Sequence, residues 1–199
     1  MNIFVCIKQV PATNKVQVDE TTGVLKRAGV MSKMNPYDLY ALQTALPLKE
    51  LHGGTVTVGT MGPPQAQAVV REAYMMGADD GYVFSDRRLG GADVLATSYT
   101  LSQAIRSVGD FDLILCGKQT TDGDTAQVGP AIAESMGIPH AAWVSKLEKK
   151  GDGIDVEQQL QNVVETVHMP FPCLVTVEQD IFMPRLPSLK REKEIRDKP

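Results

Sequence analysis

The residues best suited to chemistry in this chain lie together in Gly117-Lys118-Gln119-Thr120-Thr121-Asp122-Gly123-Asp124-Thr125-Ala126-Gln127-Val128-Gly129-Pro130. The stretch follows an apolar run, 111–116, and precedes a helical pattern, so it reads as a phosphate-binding turn. An anion needs converging donors. Small residues, three threonine hydroxyls and the unpaired N–H groups of a helix N-terminus supply them, and the helix dipole favours negative charge there. Asp122 and Asp124 would repel a phosphate directly, which leaves them to cap the turn or to bind ribose hydroxyls and the phosphate's counterion. The plainer reading is an ordinary strand-to-helix loop with Asp124 as N-cap.

No other cluster competes. His52, His140 and His168 are scattered without a partner at metal-ligand spacing, and no metal site is expected. Cys6, Cys116 and Cys173 each fall inside an apolar, strand-like run and read as reduced core residues, their odd number arguing against a disulfide framework. The net charge of -4 gives no electrostatic reason to expect nucleic acid. No apolar run reaches membrane-spanning length, and residues 1–10 lack the basic start of a secretory leader. A cytoplasmic protein with no membrane insertion is the expectation.

The elements that must position the turn can be followed along the chain. Residues 2–7 form a short apolar run, as expected of a strand buried on both faces. Residues 16–30 alternate loosely around Thr21-Thr22-Gly23 and suggest a hairpin. Asn35-Pro36 is a helix start, with Asn35 as cap and Pro36 pre-set for the first turn. That helix runs to about His52-Gly53-Gly54, with a kink or break expected at Pro47. A strand at 55–60 leads through Met61-Gly62-Pro63-Pro64 into a helix at 65–76 that stops at Gly77. A strand at 82–84 is followed by a helix at 93–108, whose apolar face is Leu95, Leu101, Ile105 and Val108. After the strand 111–116 and the opening turn comes a helix at 127–136, closed by Gly137 and Pro139.

Strands and helices alternating at these lengths predict a doubly wound α/β fold with a parallel sheet. Strand-like runs at 141–147, 153–160, 163–169 and 174–177 suggest an antiparallel extension. From Met183 onward Pro184, Pro187 and the charged stretch 190–198 predict an arm that cannot bury itself. Residues 1–182 are thus expected to form the α/β domain and 183–199 a separate C-terminal segment.

Ordered along the chain, these pieces resemble the beta, or small, subunit of electron transfer flavoproteins. The likeness rests on Val5-Cys6-Ile7-Lys8-Gln9-Val10-Pro11, Met34-Asn35-Pro36-Tyr37-Asp38, Leu48-Lys49-Glu50 and Met61-Gly62-Pro63. It continues through Arg71-Glu72-Ala73, Met76-Gly77-Ala78-Asp79, 113–119, 122–130 and Pro184-Arg185. Each motif is weak alone; their order and spacing over nearly the whole chain make the match specific.

The resemblance implies a Rossmann-like fold of the adenine nucleotide alpha-hydrolase type that binds either AMP or, in the electron-bifurcating branch, a second FAD. Asp122 to Gly129 is more similar to the FAD-binding version. By the same resemblance Cys6 and Met61 line the adenine end, Asn35 and Asp38 approach the adenosine or its ribose, and Gly117 with Thr121, Asp122, Gly123, Asp124, Thr125, Ala126, Gln127, Val128 and Gly129 holds the phosphates. No side chain is expected to act as acid or base, because the cofactor supplies the electron chemistry.

The implied partners are an alpha subunit, in a heterodimer, and an acyl-CoA dehydrogenase-type protein. The latter would dock on the 184–189 segment through Leu189 as apolar anchor and Arg185 as positioning charge, although the usual aromatic after Arg185 and the lysine-rich run are missing here. Family members usually continue into a C-terminal arm that wraps the partner's flavin domain. This sequence stops at Pro199, which predicts a short variant or a truncated chain. A different reading is a non-redox nucleotide-binding module resembling universal stress proteins. An adenylate-forming enzyme of the alpha-hydrolase type fits less well, since Lys8-Gln9-Val10-Pro11 stands where a Ser-Gly-Gly-rich loop would be needed.

Overall fold

Short apolar runs such as Ile3-Phe4-Val5 and Leu113-Ile114-Leu115 can be satisfied only where a sheet is covered on both faces. In the computed structural model, which describes residues 1–12, 17–18, 25–26 and 32–195, that is where they lie. In chain order the strands are β1 (Ile3–Cys6), β2 (Gln9–Pro11), β3 (Gln17–Val18), β4 (Leu25–Lys26), β5 (Ser32–Met34), β6 (Val56–Met61), β7 (Asp80–Phe84), β8 (Leu113–Gly117), β9 (His140–Lys150), β10 (Gly153–Gln159), β11 (Val164–Pro170) and β12 (Cys173–Val177). The helices are α1 (Pro36–His52), α2 (Gln67–Met76), α3 (Val94–Val108), α4 (Val128–Met136) and α5 (Leu189–Glu194).

The main sheet has the order β11-β10-β9-β12-β8-β1-β6-β7. From β9 to β7 every pairing is parallel, and β10 and β11 are added antiparallel at the other edge. The chain winds outward from β1 to β6 and β7, then crosses to β8 and β12 on the other side of β1. Helices α1 and α2 cover one face, over a core containing Val5, Leu42, Leu46, Val58, Leu115 and Val175. On the opposite face, α3 and α4 enclose Phe4, Ile105, Ile114, Ile132 and Leu174. This is the doubly wound α/β architecture the alternation predicts.

Several expectations change. Cys173–Val177 does not belong to an antiparallel extension: β12 is a parallel strand inserted between β8 and β9, and all five of its residues are buried. Its uninterrupted apolar character is that of an interior parallel strand. Helix α1 passes through Pro47 as one continuous element, without the expected break. Leu95 lies outside the core face of α3 and is 74% exposed. Asp93, just before it, caps the helix by accepting from the Ala96 N–H. Of the hairpin at 16–30 the described part is β3 paired antiparallel with β4, the remainder lying outside the described residues.

The tail lies back along the body. The Arg185 N–H donates to Gln43 Oε1, the Ser188 N–H donates to the Met75 carbonyl, and α5 packs beside α2. The charged stretch beyond 195 lies outside the described residues.

Candidate functional site

Winding outward in two directions from β1 leaves a crevice at the carboxyl ends of β1 and β8, the place where open α/β sheets bind ligands. Here it is a cleft of about 620 Å³. The ends of β1, β6 and β8 form its floor, and the turn before α4 and the β7–α3 connection form its walls.

Asp38, in the first turn of α1, joins the two central strand ends. Its Oδ2 accepts the Lys8 N–H at 2.8 Å, and its Oδ1 lies close against Gly117 at the end of β8. Burial pushes this carboxyl up to about 7, against the opposing pull of hydrogen bonds from Asn35, Lys8 and Gly117 and the Lys8 charge. Gly117 makes the approach possible: a Cβ there would stand 2.5 Å from Asp38 Oδ1 and 2.6 Å from the Tyr37 backbone.

Asn35 does not cap α1 with its side chain. Fully buried, it reaches across to the turn: Nδ2 donates to the Gln119 carbonyl at 2.8 Å, and Oδ1 accepts the Thr121 N–H at 3.3 Å. Pro36 still starts the helix, as expected. The residue type suited a cap, but the side chain serves the part-buried backbone groups of the turn instead.

The two aspartates divide their tasks. Asp122 accepts a hydrogen bond from Lys8 Nζ at 2.7 Å, tying the turn to the end of β1. Partial burial works upward on the Asp122 carboxyl, but the Lys8 hydrogen bond and charge outweigh it and hold the group below its usual range. The Asp124 carboxylate accepts from Gln119 Nε2, and its N–H donates to the Thr120 carbonyl. Asp124 is therefore not the N-cap of α4. Gln127 occupies that position and gives no side-chain hydrogen bond, so no capping side chain competes for the first N–H groups of α4.

Asp124 and Ala126 both have left-handed backbones, φ 53° and 54°. Non-glycine residues rarely adopt this conformation, and alternation between left- and right-handed residues is how backbone N–H groups are made to converge on an anion. Gly129 lets α4 press against β12, since a Cβ would stand 2.4 Å from Thr176 Cγ2. Left-handed turn, uncapped helix start and cleft together fit a phosphate-bearing ligand.

Of the sequence-chosen residues, Cys6, Asp38, Met61, Gly117, Gly123, Thr125, Ala126, Gln127, Val128 and Gly129 line this cleft. Asn35, Thr121, Asp122 and Asp124 are not part of the lining; their hydrogen bonds hold the turn in shape. Arg185 and Leu189 lie away from the cleft on the tail. Arg185 bonds to Gln43 and reaches Glu50 at 2.8 Å, while Leu189 is exposed. Sequence reasoning missed the opposite wall, where Ser85, Arg87, Gly91 and Asp93 face the cleft. The signal was present: it is a second strand-to-helix turn, with Asp86 and Asp93 both capping.

Fold and cleft thus define a doubly wound α/β protein with a ligand crevice at its switch point. The sequence matches the electron transfer flavoprotein domain over residues 22–199. It is 47% identical over 190 residues to a protein of Thermoanaerobacterium thermosaccharolyticum named electron transfer flavoprotein subunit beta, covering 96% of this chain and 73% of that one. The caffeyl-CoA reductase-Etf complex subunit CarD of Acetobacterium woodii is 45% identical over 190 residues, covering 95% and 72%. The acryloyl-CoA reductase electron transfer subunit gamma of Anaerotignum propionicum is 43% identical over 202 residues, covering 100% and 76%. The chain belongs to the electron transfer flavoprotein family. Among the described residues, no helix is long and apolar enough to cross a membrane.

Proposed function

We propose that this chain acts as an electron transfer flavoprotein beta subunit that holds an adenine nucleotide in the cleft, a second FAD of the bifurcating branch being the preferred occupant over AMP. The observation that carries the reading is the turn before α4, where left-handed Asp124 and Ala126 lead into an uncapped helix N-terminus at the sheet's switch point. Lys8 neutralises Asp122 at the edge of this turn, removing part of the charge that would oppose a phosphate. Room for more than a mononucleotide is supported by the cleft's volume of about 620 Å³, bounded by the turn before α4 on one side and the 85–93 connection on the other. Relatives named as subunits of caffeyl-CoA reductase and acryloyl-CoA reductase complexes support the electron-transfer role.

In this reading residues 1–182 are the nucleotide-binding domain. Cys6 and Met61 lie under the adenine, and the N–H groups of 123–129 face the phosphates. Asn35, Asp38, Thr121, Asp122 and Asp124 shape the turn, and bound FAD would supply the electron chemistry. An alpha subunit completes a heterodimer that carries electrons between dehydrogenases and acceptors. Segment 183–199 meets an acyl-CoA dehydrogenase-type partner through Arg185 and Leu189. Three free cysteines suit a reducing cytoplasm.

Co-expression with the alpha partner, denaturation and chromatography of the released nucleotides test the reading. Two FAD per heterodimer are expected. One FAD with one AMP would remove the bifurcating branch but keep the site, and no nucleotide beyond the alpha subunit's FAD would remove the site.

A further inference from the structure

Cys6 and Cys116 are far apart in sequence but adjacent in the sheet. The parallel register of β1 and β8 sets Cys6 directly beside Cys116. In-register neighbours on parallel strands point to the same face, and both residues join the core beneath α3 and α4. Both also line the floor of the cleft. Neighbouring strands run about 4.8 Å apart, inside the roughly 4.4–6.8 Å Cα separation that a disulfide spans. The neighbouring Cys6 side chain is close enough to act electrostatically on the Cys116 thiol.

Two features make the pair asymmetric and persistent. Cys116 is buried, whereas Cys6 is partly open toward the cleft. Cys6 beside it, together with burial, pushes the Cys116 thiol well above its ordinary range. Just beyond the pair, Asp38 accepts the Lys8 N–H at the end of β1 and packs against Gly117 at the end of β8. Cys173 is the internal contrast: it sits in the opposite core, beside Leu113 on β8.

We propose that Cys6 and Cys116 form a dithiol modification site in the cleft floor that a small hydroperoxide closes to an intrachain disulfide. The Cys6 sulfur attacks one peroxide oxygen and the O–O bond breaks. Cys6 becomes a sulfenic acid, and the thiol proton leaves with the departing oxygen as water, or as an alcohol from an organic hydroperoxide. The Cys116 sulfur then attacks the Cys6 sulfur, the S–O bond breaks, and hydroxide leaves with the Cys116 proton as water. Two thiols are oxidised by two electrons and one peroxide is reduced. The cleft gives the oxidant its path to Cys6, so the inference requires the cleft but not the identity of its nucleotide.

The test uses the reduced full chain treated with hydrogen peroxide, denatured, tagged with N-ethylmaleimide and weighed. The expected product carries one maleimide where the untreated protein carries three. Its peptide map joins the segments of Cys6 and Cys116 and leaves the tag on Cys173, and dithiothreitol restores all three tags. In Cys116→Ser, Cys6 is still oxidised but no intrachain link forms; in Cys6→Ser, Cys116 resists the same treatment. The proposal is overturned by a link that includes Cys173, by over-oxidised Cys6 beside a still-taggable Cys116 in the unsubstituted chain, or by three tags surviving peroxide.

Discussion

The turn at 117–129 and the tail at 184–189 both stand out in the sequence, yet the body of the protein treats them oppositely. The turn is built from within: Asn35 fastens its backbone, Asp38 and Lys8 tie it to β1, and Thr120 and Gln119 brace it internally. Between 184 and 189 the tail is fastened by hydrogen bonds of Arg185 and of the Ser188 backbone. Gln43 and Glu50 engage Arg185, while Leu186 and Leu189 stay 88% and 74% exposed. Rigid, buried support suits a site that must present backbone donors at fixed positions. A fastened backbone with outward apolar side chains suits a surface covered by something else.

The largest break in this contrast comes from Gly117→Ala. The added Cβ meets the Asp38 carboxylate and the Tyr37 backbone, so α1 and β8 must separate. We expect a loss of about 3 kcal/mol in urea unfolding together with loss of nucleotide retention. Asn35→Ala comes next. It strands the Gln119 carbonyl and the Thr121 N–H, at about 2 kcal/mol for partners left without hydrogen bonds, and nucleotide affinity falls more than stability does because the turn is released. If Asn35→Ala leaves affinity unchanged, the turn does not depend on internal support and the contrast with the tail fails.

Asp38 gives the turn a pH signature opposite in sign to the tail's, where the hydrogen bond from Arg185 holds the Glu50 carboxyl below its usual range. Its carboxyl titrates at about 7 in the fold against an ordinary 3.8, with burial as the main cause. The folded protein thus binds the proton more tightly than the unfolded chain does. Asp38's favourable contribution is complete below pH 3.8 and is lost as pH rises through 7. Asp38→Asn, whose amide oxygen can still accept the Lys8 N–H, should flatten stability between pH 5 and 7 by about 2 kcal/mol. Urea midpoints across that range are the readout, and an unchanged slope would assign the titration elsewhere.

How much of this was legible in the sequence follows from which forces are local. The winding of β1, β6, β7 and β8 was readable because each strand is a short apolar run punctuated by glycine or proline, and the turn between β8 and α4 was readable as a strand-to-helix connection from its residue types. Position in the sheet was not. A run such as Cys173-Leu174-Val175-Thr176-Val177 shows burial but not its neighbours, and its insertion between β8 and β9 is a tertiary outcome. Asn35 shows the same limit at the site: local rules favour a cap, and the distant Gln119 and Thr121 backbone claims the side chain instead. The cleft wall at 85–93 went unread because its importance depends on facing the turn across the sheet.

The smallest effect on stability, and the sharpest on the contrast, is expected from Leu189→Ala. Leu189 opens α5, is 74% exposed, and follows Ser188, which caps the helix by accepting the Arg191 N–H. Removing an exposed side chain while leaving the cap intact should change stability by under about 0.5 kcal/mol. If the tail serves the proposed docking, electron transfer from a dehydrogenase partner to the assembled flavoprotein should nevertheless fall several-fold, with nucleotide content unchanged. Such an effect would separate the regions by function as well as by construction: at 117–129 a substitution costs fold and ligand together, at Leu189 only the encounter. A transfer rate equal to that of the unsubstituted protein would instead leave the exposed leucine without a role in docking.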